Sequence, residues 1–214
     1  MNAPLKLAIV EMAVCAFVAV ILSGCASRDL TPAPNGPRVD LMSQSQYLHL
    51  IENNTQTKKV YDGFALLLEY RISFLNTPIS LGQVDMNTQL YQYSDSQYQN
   101  EKGTTQSNLV KQTEFFLSLY IPDGKYDDLA KKNTKWKIFL DVAGQRYEAK
   151  AVRIKAQLRD VQNLYPFHDR FSTAYKLIFP VSTSITENGV AKLTLTGPMT
   201  SFSISTGAVN AIRD

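Results

Sequence analysis

Apolar residues along this chain fall into three patterns, and each predicts a different element. From Met12 to Leu22 they run without a charge. Within Asp40–Asn53, Leu41, Leu48 and Ile51 recur at helical spacing and predict a short N-terminal helix capped by Asp40 or Ser43. From Tyr61 to Leu75 the period becomes two. Phe64, Leu66, Leu68, Tyr70, Ile72 and Phe74 share one face, with Glu69, Arg71 and Ser73 interleaved at the outer end, which predicts a long strand packed on one side. Ala65 and Leu67 extend the expected cover to both faces of its first half.

Thr77-Pro78 closes that strand, and helical stripes return over about 77–111. Met86, Leu90 and Tyr93 form one stripe and Tyr91 and Tyr98 a neighbouring one, while the polar, Gly-containing stretch Gln99–Ser107 predicts a loop or helix break. Short strands follow at Glu114–Ile121, Lys135–Val142, Arg146–Lys155, Ala174–Phe179, Val190–Thr196 and Thr200–Thr206. Turn signals at Pro122-Asp-Gly124, Gly144, Pro180 and Gly197-Pro198 separate them, with one helical turn expected at Asp127–Lys132 and an irregular stretch at Gln157–Ser172. Glu148, Lys150, Arg153 and Lys155 mark the fourth strand as a guarded edge.

The expectation is therefore a mainly β fold: an antiparallel immunoglobulin-like β-sandwich of about seven strands, with an inserted helical segment and a short N-terminal helix. A closed or half-open barrel is the alternative. Trp136 on an early strand resembles the core tryptophan of immunoglobulin-like sandwiches, an analogy at the level of fold alone.

The N-terminal run carries an address. Its apolar core is about half the ~20 residues that span a bilayer as a helix, and it matches a secretory segment. It ends in Leu22-Ser23-Gly24-Cys25, which resembles the lipobox of bacterial lipoproteins. That resemblance implies a signal peptide over 1–24 that is processed at Leu22, Ser23 and Gly24. It also implies Cys25 diacylated on sulfur and, after cleavage, acylated on its new amine with chains such as palmitate. Ala26, in place of an Asp, implies sorting to the outer membrane of a diderm cell, facing the periplasm or the surface. Several acyl chains make a stable anchor. Residues 25–39, with Thr31-Pro-Ala-Pro-Asn-Gly-Pro37, predict a flexible tether, and 40–214 a single domain. Three segments, Tyr61-Asp-Gly-Phe64, Trp136-Lys-Ile-Phe-Leu140 and Tyr175-Lys-Leu-Ile-Phe-Pro180, make the mature chain resemble uncharacterised bacterial envelope lipoproteins, with no activity implied.

Composition removes several classes of function. Without the signal segment about 190 of the 214 residues remain, enough for one cored domain. The net charge of +3 argues against a nucleic-acid partner. Cys15 leaves with the signal and Cys25 goes to lipid, so the domain has no disulfide, thiol nucleophile or cysteine metal site.

Candidate chemistry is sparse. His168-Asp169-Arg170 with Ser172 has the residue types of an acyl-transfer centre, but a Gly-x-Ser-x-Gly elbow is absent and a polar loop explains the cluster equally. Asp123, Asp127 and Asp128 suit calcium by type but not by spacing, with Lys125 among them, and His49 and His168 lie too far apart in sequence to suggest zinc. Lys131, Lys132, Lys135 and Lys137 fit a solvated strand face. Tyr91, Tyr93 and Tyr98 either form a platform for glycan or peptide or lay their stripe on the sandwich.

The expectation is thus a non-enzymatic, lipid-anchored envelope protein that binds an envelope protein partner or serves in assembly, needing no metal or cofactor. The alternatives are a glycan-binding module using the tyrosines and a hydrolase using His168 with a nearby serine. The anchor is tested by Cys25→Ala: the variant should lose an acyl-sized mass in intact mass spectrometry and leave the membrane fraction, and unchanged mass and partition would refute the lipobox.

Overall fold

The computed structural model describes residues 35–37 and 39–206. Leu22, Ser23, Gly24, Cys25 and the first part of the expected tether lie outside the described residues. The chain forms α1 (Gln44–Asn53), β1 (Thr55–Asp62), β2 (Ala65–Phe74), α2 (Thr77–Tyr91), α3 (Asp95–Lys111) and β3 (Thr113–Tyr120). A short 3-10 turn at Gly124–Tyr126 precedes β4 (Lys137–Val142), β5 (Gln145–Glu148) and β6 (Lys150–Arg153). Then come α4 (Leu158–Leu164), β7 (Thr173–Phe179), α5 (Thr183–Asn188), β8 (Lys192–Thr196) and β9 (Ser201–Ser205).

The fold is mainly β, and all the pairings are antiparallel. One sheet has the order β1-β2-β3-β7-β6 and the other β5-β4-β8-β9. The period-two faces meet between them. Leu68, Tyr70 and Ile72 of β2, Phe115, Leu117 and Leu119 of β3, and Tyr175, Leu177 and Phe179 of β7 share one core with Ile138, Leu140 and Val142 of β4 and Leu193 and Leu195 of β8. At one edge the ring of Tyr70 stacks on Phe202, with centroids 4.3 Å apart, and Gln56 Nε2 donates to the Ser205 carbonyl across the two sheets. At the opposite edge the strand expected over Arg146–Lys155 divides. β5 closes the four-stranded sheet and β6 the five-stranded one, with Ala149 between them donating its N–H to the Ile138 carbonyl.

A second apolar layer lies on the outer face of the five-stranded sheet. Tyr47 and Ile51 of α1, Ile79 and Met86 of α2, and Val161 of α4 pack with Tyr165 over Phe116 and Ala174. Phe116 and Tyr165 stack at a centroid distance of 3.5 Å, inclined by 5°. The helices in this layer have sequence-encoded ends. Ser43 and Gln46 form a capping box on α1, Asn76 caps α2 with Pro78 in its first turn, and Ser94 and Gln97 form a second box on α3.

Several expectations need correction. Among the described residues nine strands form instead of about seven, because β1 was not foreseen and one expected strand serves both sheets. Tyr61 belongs to β1, and the chain reverses at Gly63, whose φ of +56° suits a two-residue hairpin turn. Ala65 is accordingly exposed and Leu67 only half-buried, so the first half of β2 is not covered on both faces, and Phe64 lies in solvent. Gln99–Ser107 is the middle of α3, and the helix break falls instead at Gln92, in the left-handed region. Most of the expected tether lies outside the described residues, and its described end makes one contact with α3. The Asn35 carbonyl accepts from the Asp95 N–H, while Met42 bonds Asp85 and Gln89 through its backbone.

Trp136 is locked against Gly197, where an added Cβ would lie 2.4 Å from the indole Cε3, and its ring N–H donates to the Tyr126 carbonyl at 2.8 Å. Gly197→Ala is therefore expected to cost about 1–3 kcal/mol by overpacking. Gly103→Ala in α3, where nothing lies within 4 Å, should instead stabilise by about 0.4–1 kcal/mol. Urea unfolding of the two variants checks both signs.

Candidate functional site

The outer face of the five-stranded sheet is polar at both ends and apolar in the middle. Outward positions on β3 read Glu114, Phe116, Ser118, and those on β2 read Ser73, Arg71, Glu69. The apolar middle seats the helices, so each polar end becomes a candidate site.

At one end, the loop after α4 folds back over β2 and β3. Arg71 donates through Nη1 to the Phe167 carbonyl at 2.7 Å and to Asp169 Oδ2 at 2.9 Å, and through Nη2 to Glu69 Oε1 at 2.7 Å. Lys59 reaches the same Glu69 at 3.4 Å. This network carries His168 inward, where its Nδ1 lies 2.8 Å from Ser118 Oγ. Ser172 does not meet His168. Its hydroxyl and N–H, with the Phe171 N–H, bond Asp169 Oδ1. Burial opposes ionisation of Asp169, yet Arg71, the Phe171 amide and the Ser172 hydroxyl together hold its carboxyl below the ordinary range.

A serine and a histidine are thus within hydrogen-bond reach, but the serine is not the one in the loop. Ser118 is 1% exposed and does not line the neighbouring cleft, which His168, Asp169, Arg170 and Ser172 edge instead. A nucleophilic hydroxyl needs an approach path for its electrophile. What this arrangement does is hold the loop: a buried imidazole accounts for a buried hydroxyl, and Arg71 ties two loop groups to the sheet.

At the other end α2 and α3 face each other across a cavity of about 140 Å³, lined among others by Ser80, Asn87, Tyr93, Glu101, Thr105 and Asn108. Its floor includes Glu114, which accepts from Lys176 Nζ at 2.9 Å and from Gln112 Nε2 at 2.6 Å. Gln83, also on the wall, donates to Tyr165 Oη at 2.8 Å and Tyr47 Oη at 3.3 Å, linking the cavity to the apolar layer. Burial raises the hydroxyl pKa of Tyr93, and the charge of Glu101 adds to the effect.

The three tyrosines separate. Tyr91 is exposed, Tyr93 is half-buried against the cavity with its ring 6.1 Å from that of Tyr91, and Tyr98 is buried with its hydroxyl accepting from Lys102. Tyr98 is therefore no part of an exposed platform. The three aspartates also do not converge. Asp123 pairs with Lys125 at 2.7 Å, Asp127 accepts from Tyr175 and Thr173, and Asp128 accepts from Thr134. Among the described residues, no group of three or more His, Asp or Glu side chains is placed to hold a metal, and no helix is long and apolar enough to cross a membrane.

Several apolar side chains are exposed, among them Val110, Phe171 and Val190, and the most exposed is at the β1–β2 hairpin. Residues 65–68 of β2 pair only with β1, so this hairpin extends past β3. At its tip Phe64 is fully exposed and Tyr61 more than half exposed. Compared with known proteins, the chain matches no family model, no curated protein and no solved structure.

Apolar period was the guide: the polar cavity walls break it, and Phe64 at the tip continues it through a turn, so neither site could be read from it. Signals were present. Ser94-Asp-Ser-Gln97 is a capping-box pattern announcing a helix through the polar stretch, and Asp62-Gly63 is a hairpin-turn dipeptide.

Burial disfavours the imidazolium of His168 and holds its pKa below the ordinary 6.5, with the Asp169 charge opposing and Arg71 assisting. The unfolded chain then takes up the proton first as pH falls, so this stabilisation is complete above about pH 6.5 and is lost progressively below it. Urea midpoints of wild type and His168→Asn should therefore converge between about pH 7.5 and about pH 5.5. A constant gap would show that His168 is not held neutral.

Proposed function

We propose that the protein is a non-enzymatic, lipid-anchored module of the cell envelope, held through Cys25 at the outer membrane, that grips an envelope protein partner with the tip of the β1–β2 hairpin. The pattern Leu22-Ser23-Gly24-Cys25 and the following Pro-rich segment support the anchor. The exposed pair Phe64 and Tyr61 carries the binding part. An aromatic side chain held in water on a defined turn forgoes burial of roughly 1.5–3 kcal/mol, which a partner pocket would recover, and such anchors dominate protein interfaces. Asp62 at the same tip favours a protein partner over the lipid interior, where a carboxylate is costly.

For the fold, the finer assignment as an immunoglobulin-like sandwich is part of the same proposal. It is supported by two antiparallel sheets sharing a core and by Trp136 within it.

A photo-crosslinking side chain placed at position 64 should give one recurring envelope-protein adduct in cells, and Tyr61→Ser should diminish it while leaving the urea midpoint unchanged. Adducts to lipid alone, or no adduct, would overturn the assignment.

A further inference from the structure

Helix α3 presents a polar stripe at the mouth of the cavity between α2 and α3. Glu101, Thr105 and Asn108 lie at helical spacing along the side that lines the cavity with α2. Opposite them stands Asn87. Among the described residues, the side chains of Asn87, Glu101, Thr105 and Asn108 bond no protein group: Glu101 and Asn108 are exposed at the cavity mouth and Asn87 and Thr105 are half-buried, which leaves all four free for a ligand. Convergent polar groups left unpaired around a cavity are what a binding site needs.

We propose that this cavity binds one ring of a neutral saccharide. Three features select that chemistry. First, amides, a hydroxyl and a carboxylate offer donors and acceptors side by side, matching sugar hydroxyls, which both donate and accept. Second, Glu114 and Lys176 neutralise each other, and the remaining carboxylate, Glu101 at the mouth, disfavours an anion. Third, Tyr93 lines the cavity and stacks with the exposed Tyr91, providing an aromatic wall for the C–H face of a ring. A volume of about 140 Å³ admits a single ring, so a longer glycan would enter by its terminal unit.

The site is independent of the hairpin tip, and its test is separate. The full-length protein is titrated with D-glucose, with N-acetyl-D-glucosamine and with the β-1,4-linked tetramer of each, by saturation-transfer NMR and calorimetry. At least one sugar should bind with a Kd on the order of 1 mM or tighter. Glu101→Gln, at an exposed helical position, should weaken it by about tenfold through loss of a charge-assisted hydrogen bond. Thr105→Leu should abolish binding by filling the cavity, and both variants should keep the wild-type melting temperature to within a few degrees. A tetramer that binds more tightly than its monomer indicates the end of a glycan chain, and equal affinities indicate a free sugar. Absence of saturation transfer from every probe, transfer untouched by both variants, or displacement of the sugar by methylammonium chloride would overturn the proposal.

Discussion

The structure depends on β3 being covered on both faces. Its residues from Phe115 to Leu119 are all buried, odd positions against the four-stranded sheet and Phe116 under the helices. A strand of this kind is stable only if two separate apolar layers reach it. The chain supplies the second layer from three places: α1 before β1, α2 between β2 and β3, and α4 with Tyr165 before β7. The stacking of Tyr165 on Phe116 then brings the loop after α4 onto the same face.

That requirement is met only in the middle of the outer face, and the consequences at its two ends differ. Where Arg71, Asp169, His168 and Ser118 meet, the polar groups satisfy one another, and a loop without regular structure is fixed to the sheet. An unpaired polar group there would be expensive, so the set acts as one unit. Where α2 and α3 face each other over Glu114 and Lys176, the floor is satisfied, while the side chains of Asn87, Glu101, Thr105 and Asn108 bond no other protein side chain or backbone group among the described residues. The same sheet face therefore carries one closed polar cluster and one open one.

The inner core was largely legible in the sequence. Leu68, Tyr70, Ile72, Phe115, Leu117, Leu119, Trp136, Ile138, Leu140, Tyr175, Leu177, Phe179, Leu193 and Leu195 all face it as the period of two requires. What could not be read by that period was hidden for physical reasons. β1 is an edge strand whose exposed Lys58 and Lys59 suit an edge and erase alternation. Phe64 continued the apolar alternation while occupying a turn, where burial is impossible. The change of sheet at Ala149 leaves no mark, because both halves of the strand alternate in the same way. His168 was singled out in a loop, yet its partner Ser118 comes from a distant strand, a juxtaposition that only the fold creates.

Helix α3 joins these themes. Only Tyr98 among its side chains is fully buried, so little apolar packing holds it, and its ends are secured by hydrogen bonds: the box of Ser94 and Gln97, the Leu109 carbonyl accepting from Ser182, and the Gln112 carbonyl accepting from Thr183. Its first turn also receives the chain from the N-terminal side, where the Asn35 carbonyl bonds the Asp95 N–H. Elements with few buried apolar contacts open at low free energy, and anything bridging α2 to α3 stabilises the closed arrangement by mass action. The weakest-packed helix is thus the one that lines the cavity and the one joined to the segment leading toward the N-terminus.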